Sequence, residues 1–184
     1  MCAIADQPLP YVDCLPERPA GAVTLAVIHC TELPDLATAR EYGEKVLYES
    51  GAGNSGHYYI DRDGRIACYV PGTRIAHHVR GRNADSIGIE LVNLGRYPDW
   101  FAAGNQTMGE PYPPAQVEAL RRLLAQLRKD FPNLRAVAGH EDLDTARVPA
   151  SDDPLVMVPR KLDPGPLFPW DAIVPACGLE RIRA

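Results

Sequence analysis

Apolar positions run along this chain in two periods. In "VTLAVIHC" (23–30) they are almost unbroken and bounded upstream by Pro and Gly, which predicts a buried strand carrying His29 at its C-terminal end. In "SIGIELV" (86–92) they alternate, so Ile87, Ile89 and Leu91 take a core face while Glu90 and Gly88 share the other. "HYYI" (57–60) and "RIACYV" (65–70) flank the turn sequence "DRDG" and predict a β-hairpin over 57–70. "RAVAG" (135–139) is a further short strand, followed by His140. From 113 to 131 the period lengthens: Val117, Leu120, Leu124 and Leu127 fall on one side and Arg and Lys on the other, which predicts an amphipathic helix. Residues 35–47 have helical composition, with Asp35 as N-cap after Pro34. Residues 49–56 and the Pro-rich, acidic stretch 147–160 read as loops. Strands interleaved with helices predict an α/β fold with a central mixed β-sheet flanked by helices.

Composition narrows this picture. With 184 residues, 46% of them apolar, the chain can bury one good core and is short for two, so a single domain is expected. A net charge of −5 argues against a nonspecific nucleic-acid footprint, which needs a basic surface. Cys2, Cys14, Cys30, Cys68 and Cys177 are odd in number and form no CxxC pair, so neither a disulfide framework nor a thiolate zinc site is expected. No membrane span is expected, since no stretch reaches 18 apolar residues, and the N-terminus lacks the basic and apolar regions of a signal peptide. These features suit a cytoplasmic protein; the alternative is the cell envelope or periplasm, if Cys2 is a lipoprotein cysteine or upstream sequence is missing.

The chemistry concentrates at strand ends and in "RKLDPGPLFPW" (160–170), where Pro164 and Pro166 around Gly165 make a stiff turn. His29, His140 and Asp163 are candidate metal ligands, and two imidazoles with a carboxylate are a common set for catalytic zinc. They lie 111 and 23 positions apart, so no local motif joins them, and a histidine at a strand end can equally be a hydrogen-bonded core residue.

"VIHC", "SGHYYIDRDGRI", "SIGIELVN", "AGHEDL" and "RKLDPGPLFPW", in this order, resemble the zinc-dependent N-acetylmuramoyl-L-alanine amidases. The resemblance implies the peptidoglycan-recognition/amidase type 2 fold over residues 22–172, with 1–21 as an N-terminal extension and 173–184 as a C-terminal tail. It implies one Zn2+ per chain held by His29, His140 and Asp163, and a catalytic pair of Glu90 and Lys161. Lys161 and Asp163, two apart in an extended segment, would point to the same side. The implied reaction is hydrolysis of the amide between the lactyl group of N-acetylmuramic acid and L-alanine. The partner is then a muropeptide or peptidoglycan fragment, met by a monomer. The same fold also serves noncatalytic peptidoglycan-binding modules, which is the alternative function.

Other residues are of the right type without the same support. The family carries a histidine at the place of His78, which makes His78 a candidate substrate contact, while His57 and His77 read as structural. Arg82 and Asn83, with Arg74 and Arg80 nearby, suit the carboxylates of a peptide stem or else simple surface solvation. Asp142, Asp144, Asp152 and Asp153 lie among the 22 residues between His140 and Asp163, a long spacing, and read as loop solvation.

Overall fold

The computed structural model describes residues 3–184, so Cys2 lies outside the described residues. The elements in chain order are β1 (Ile4–Asp6), β2 (Leu25–Cys30), α1 (Leu36–Gly43), β3 (Tyr58–Ile60), β4 (Ile66–Cys68), β5 (Ser86–Leu91), α2 (Pro114–Asp130), β6 (Ala136–Gly139), α3 (His140–Leu143), β7 (Arg147–Pro149), β8 (Met157–Pro159), α4 (Trp170–Cys177) and β9 (Glu180–Arg181). Seven strands form one sheet in the order β1-β4-β3-β5-β2-β6-β9. Within this sheet, among the described residues, only β3 and β4 pair antiparallel; β2 runs parallel to both β5 and β6 at the centre. The expected mixed sheet is therefore present and mostly parallel.

The alternation in β5 has its expected consequence. Ile87, Ile89 and Leu91, with Ile28 and Ile60, pack against Leu120, Leu123, Leu124 and Leu127 of α2, all essentially inaccessible to water. Each such side chain contributes about 1.5–3 kcal/mol on burial, so this layer anchors the sheet. Leu123 joins the apolar stripe, and Val117 packs at its margin. Buried Gln116 donates to the carbonyls of Ile60 and Val92 (2.9 and 3.0 Å), tying α2 to two strand ends. With one face so occupied, the other face of β2 and β5 is free to carry polar groups.

Four segments depart from the pattern of the sequence. The helix expected over 35–47 stops at Gly43, although Asp35 caps it as expected by accepting from the Thr38 N–H (2.7 Å). Val46, Leu47 and Tyr48 are exposed and have no core to face, and the N–H groups of Leu47 and Tyr48 bond to the Ala52 carbonyl in a closed loop instead. The stretch 147–160 is not loop throughout: β7 and β8 form an antiparallel hairpin in which Val148 faces Val158. Pro149 and Pro159 hid it from a propensity argument, yet proline is tolerated at the ends of two edge strands. The chain's two ends also join the sheet, β1 beside β4 and β9 beside β6.

Candidate metal centre and active site

Register places the first two functional residues side by side. In the parallel β2/β5 ladder His29 is opposite Glu90, and in β3/β5 Tyr59 is opposite Glu90, so one row of the polar face reads Tyr59, Glu90, His29. Two glycines make room for this row. A Cβ at Gly56 would lie 2.7 Å from Glu90 Cγ, and one at Gly88 would lie 2.6 Å from His78 Cγ. Beyond β2, the end of β6 delivers His140 as the first residue of α3, where Asp142 accepts from the Gly139 N–H (2.8 Å). Arg181 of β9 donates to the same carboxylate (2.7 Å) and lies over the Trp170 ring, so the C-terminal strand braces the turn that carries His140.

Asp163 closes the group from the stiff turn. Its carbonyl accepts from Glu141 N–H (2.9 Å), and the Pro164 carbonyl accepts from Tyr112 Oη (2.7 Å). Gly165 has φ +84°, and a side chain there would strike Met108. Asp163 Oδ2 lies 3.0 Å from His29 Nδ1 and 3.1 Å from His140 Nδ1. All three residues are buried. They are the group of His, Cys, Asp and Glu side chains that could hold a metal ion among the described residues.

The electrostatics suit a cation. Burial alone would raise the Asp163 carboxyl, but His140 and His29 beside it outweigh burial and hold it well below the usual carboxylate range. Burial, then the neighbouring His140, pushes His29 down to about 4, so its imidazole is neutral at pH 7, as a metal ligand must be. Asp163 Oδ1 is buried and without a hydrogen-bond partner, an oxygen lone pair aimed at nothing in the protein. Two imidazoles and one carboxylate are a zinc-type donor set that leaves a fourth position open. On its far side His29 Nε2 meets His78 Nδ1 (3.0 Å), and His78 Nε2 meets Ser86 Oγ (3.2 Å). A metal-ligating histidine usually has its second nitrogen engaged in this way.

Glu90 sits beside this group, its Oε1 3.9 Å from His29 Nδ1 and its side chain 14% accessible. Burial pushes its carboxyl up to about 8, the Asp163 charge adds to this, and Lys161 opposes it. Such a carboxyl can take up and release a proton near neutrality. Lys161, two residues before Asp163, lines the same cleft as His29, Glu90, His140 and Asp163. The cleft, about 830 Å³, continues past the metal group along Tyr48, Trp100 and Phe101.

The remaining candidates separate. His78 and Asn83 line the cleft. Asn83 Oδ1 also accepts from the N–H groups of His78 and Val79, which fixes the turn beneath them. Arg82 is not among the lining residues; its guanidinium is paired with Asp85 (2.7 Å). His57 is fully buried and neutral, Nδ1 accepting from Gly88 N–H and Nε2 donating to the Arg74 carbonyl (both 3.0 Å). His77 lies edge-on to Tyr48 in the cleft. Asp142 and Asp144 are ion-paired with Arg181 and Arg160, and Asp144 is buried, so these two hold structure and are not the solvated loop acids expected, whereas exposed Asp152 accepts from Ala103 N–H. Cys30, next to His29, turns its thiol toward Asn93. Sequence reasoning missed Glu32, Arg96, Trp100 and Phe101, which line the cleft from a loop and a strand end with no shared motif.

Comparison with known proteins bears on the family and the fold. A family model described as N-acetylmuramoyl-L-alanine amidase matches residues 19–166. The Escherichia coli K12 protein 1,6-anhydro-N-acetylmuramyl-L-alanine amidase AmpD is 30% identical over 189 aligned positions, covering 89% of this chain and 86% of that protein. The endolysin of Klebsiella phage KP32 is 31% identical over 88 residues (46% of this chain), and this chain spans about half its length (52%). AmiD of Escherichia coli K12 is 32% identical over 117 residues, which is 59% of this chain and 37% of that protein. The solved AmiD complex with anhydro-N-acetylmuramic acid-L-Ala-D-gamma-Glu-L-Lys superposes with a TM-score of 0.65 at 26% identity, over 89% of this chain and 59% of that one. By the extent of the family match and the length shared with AmpD, the chain belongs to the N-acetylmuramoyl-L-alanine amidase family.

Proposed function

We infer that this chain is a zinc-dependent N-acetylmuramoyl-L-alanine amidase that hydrolyses the amide joining the lactyl group of N-acetylmuramic acid to L-alanine in muropeptides. The observation that carries the reading is the convergence of His29, His140 and Asp163 beside Glu90 and Lys161 at the floor of one cleft. A module that only bound peptidoglycan would have no use for a raised carboxyl beside a metal-type donor set.

His29, His140 and Asp163 would hold the zinc, which when bound would supply Lewis-acid polarisation of the amide carbonyl and activation of water near neutral pH. Glu90 takes the proton from the attacking water as its oxygen bonds to the carbonyl carbon, then gives that proton to the alanine nitrogen as the C–N bond breaks. Lys161 stabilises the oxyanion that develops between these events. The products are a lactyl carboxylate and a stem peptide with a free amine. His78 and Asn83 contact the bound fragment from the cleft wall, while Arg82 is paired with Asp85 and lies off the cleft lining.

Soluble anhydro-muropeptides are the favoured substrate, because the alignment with AmpD extends along most of both chains. Purified sacculi and anhydro-muropeptides, digested side by side with mass detection, test this. Free stem peptide released faster from the soluble fragments is the expected result, and intact fragments after incubation with zinc-loaded protein would remove the amidase reading.

A further inference from the structure

Arg96 is the largest of the fully buried side chains, and every N–H of its guanidinium is used. Nε and Nη2 grip the two carboxylate oxygens of Glu32 (2.7 and 2.9 Å), Nη1 donates to the Pro159 carbonyl and Gln106 Oε1 (3.0 and 3.2 Å), and Nη2 also reaches the Arg160 carbonyl (3.5 Å). The backbone N–H of Arg96 adds a third bond to Glu32 (3.1 Å). This ties together two stretches of chain that matter to the site. Glu32 lies three residues after His29, and Arg160 immediately precedes Lys161.

The local backbone is shaped for the contact. Glu32 has φ +50°, a left-handed conformation that is uncommon for a residue with a side chain. The next turn offers Gly95 at φ +52°, where a Cβ would lie 2.5 Å from Glu32 Cγ. Trp100 Nε1 caps the Glu32 carbonyl (3.0 Å). A buried ion pair gains little net stability over apolar side chains of similar volume, because desolvation of both charges offsets their attraction. What such a fork supplies is direction: fixed donors on the carbonyls of Pro159 and Arg160.

We propose that Arg96, seated on Glu32, is a positioning residue that sets Lys161 against His29 and Glu90 by holding the Pro159 and Arg160 carbonyls. With its guanidinium engaged by Glu32, Gln106 and these carbonyls, it acts through Lys161. A displacement of about 1 Å in a catalytic group can lower a rate about a hundredfold, so modest slack in this tether is costly. Lysine cannot replace it, since three donors on one nitrogen cannot serve a carboxylate and two carbonyls in these directions.

The inference rests on the amidase reading, and turnover of the wild-type, zinc-loaded enzyme on an anhydro-N-acetylmuramoyl peptide checks that reading separately. The test is a cycle of Arg96→Lys, Lys161→Ala and the double variant, with kcat, KM and melting temperature measured for each. Arg96→Lys keeps a cation opposite Glu32 and should lower kcat by roughly tenfold or more with KM nearly unchanged. In the Lys161→Ala background the same change should cost little further, because its target is already gone. Equal losses in both backgrounds, or a wild-type kcat in Arg96→Lys, would overturn the proposal. Glu32→Met/Arg96→Met gives an independent readout: recovery of the melting temperature lost by either single change, without recovery of kcat, separates positioning from support of the fold. Recovery of both would leave Arg96 a structural residue.

Discussion

Glu90 shows how one carboxyl acquires a task from its place. Pairing with His29 across a parallel ladder puts it at the metal group, and burial lifts its proton affinity toward neutrality. Glu90→Gln keeps the shape and removes the proton carrier, so the variant should hold zinc as the wild type does and lose most of its turnover. Near-normal kcat with zinc bound would exclude Glu90 as the base. Lys161→Ala should lower kcat by roughly two to three orders of magnitude, the usual effect of losing one oxyanion donor, with a much smaller change in KM. A Lys161→Ala protein with normal kcat and a lowered melting temperature would instead assign Lys161 to holding the chain around it. Both residues were legible in the sequence only through the ordered blocks around them; alternation put Glu90 on the non-core face but said nothing of its neighbours.

Among the elements, the central strands β2, β5 and β6 and helix α2 were the most legible, because a core face imposes a period that few other patterns share. α1 was overextended since helical composition continues past Gly43 while the apolar residues that follow have nothing to pack on. The β7–β8 hairpin and the sheet-edge strands β1 and β9 escaped because two or three residues of pairing leave no period to read. The Glu32–Arg96 pair was invisible for another reason: its partners are far apart in sequence and meet only through the fold. Close packing between strands also gives a test. Gly56→Ala would push a methyl to within 2.7 Å of Glu90 Cγ, so it should lower kcat while zinc content stays at the wild-type level. Wild-type activity in that variant would show that Glu90 need not be held where Gly56 leaves it.

For the molecule as a whole, buried neutral histidines link the fold to pH. Burial, then the Arg18 charge, pulls His57 down to about 3 in the folded state from an ordinary value of 6.5. The unfolded chain therefore binds a proton below about pH 6.5 that the folded chain refuses, and this contribution to stability is full above that pH and is lost progressively as pH falls toward 3. Through this window one such group steepens the decline by up to about 1.4 kcal/mol per pH unit. His57→Gln should lower stability at pH 7, by disturbing the Gly88 and Arg74 contacts, and should show a shallower loss between pH 6 and 4 by about that slope. Parallel stability curves for the two proteins, from urea titrations at each pH, would mean that His57 protonates alike in both states.

The three proposed ligands, His29, His140 and Asp163, draw together β2, the start of α3 and the Asp163 turn, so metal binding would report on the fold and the site at once. Elemental analysis of wild-type and His140→Ala protein, purified in parallel and equilibrated with zinc, is the most direct test of the central claim. About one zinc per chain is expected in the wild type, as in other three-ligand catalytic zinc sites, and little in the variant. Equal zinc content and affinity in the two proteins would contradict the assignment of His29, His140 and Asp163 as the metal centre.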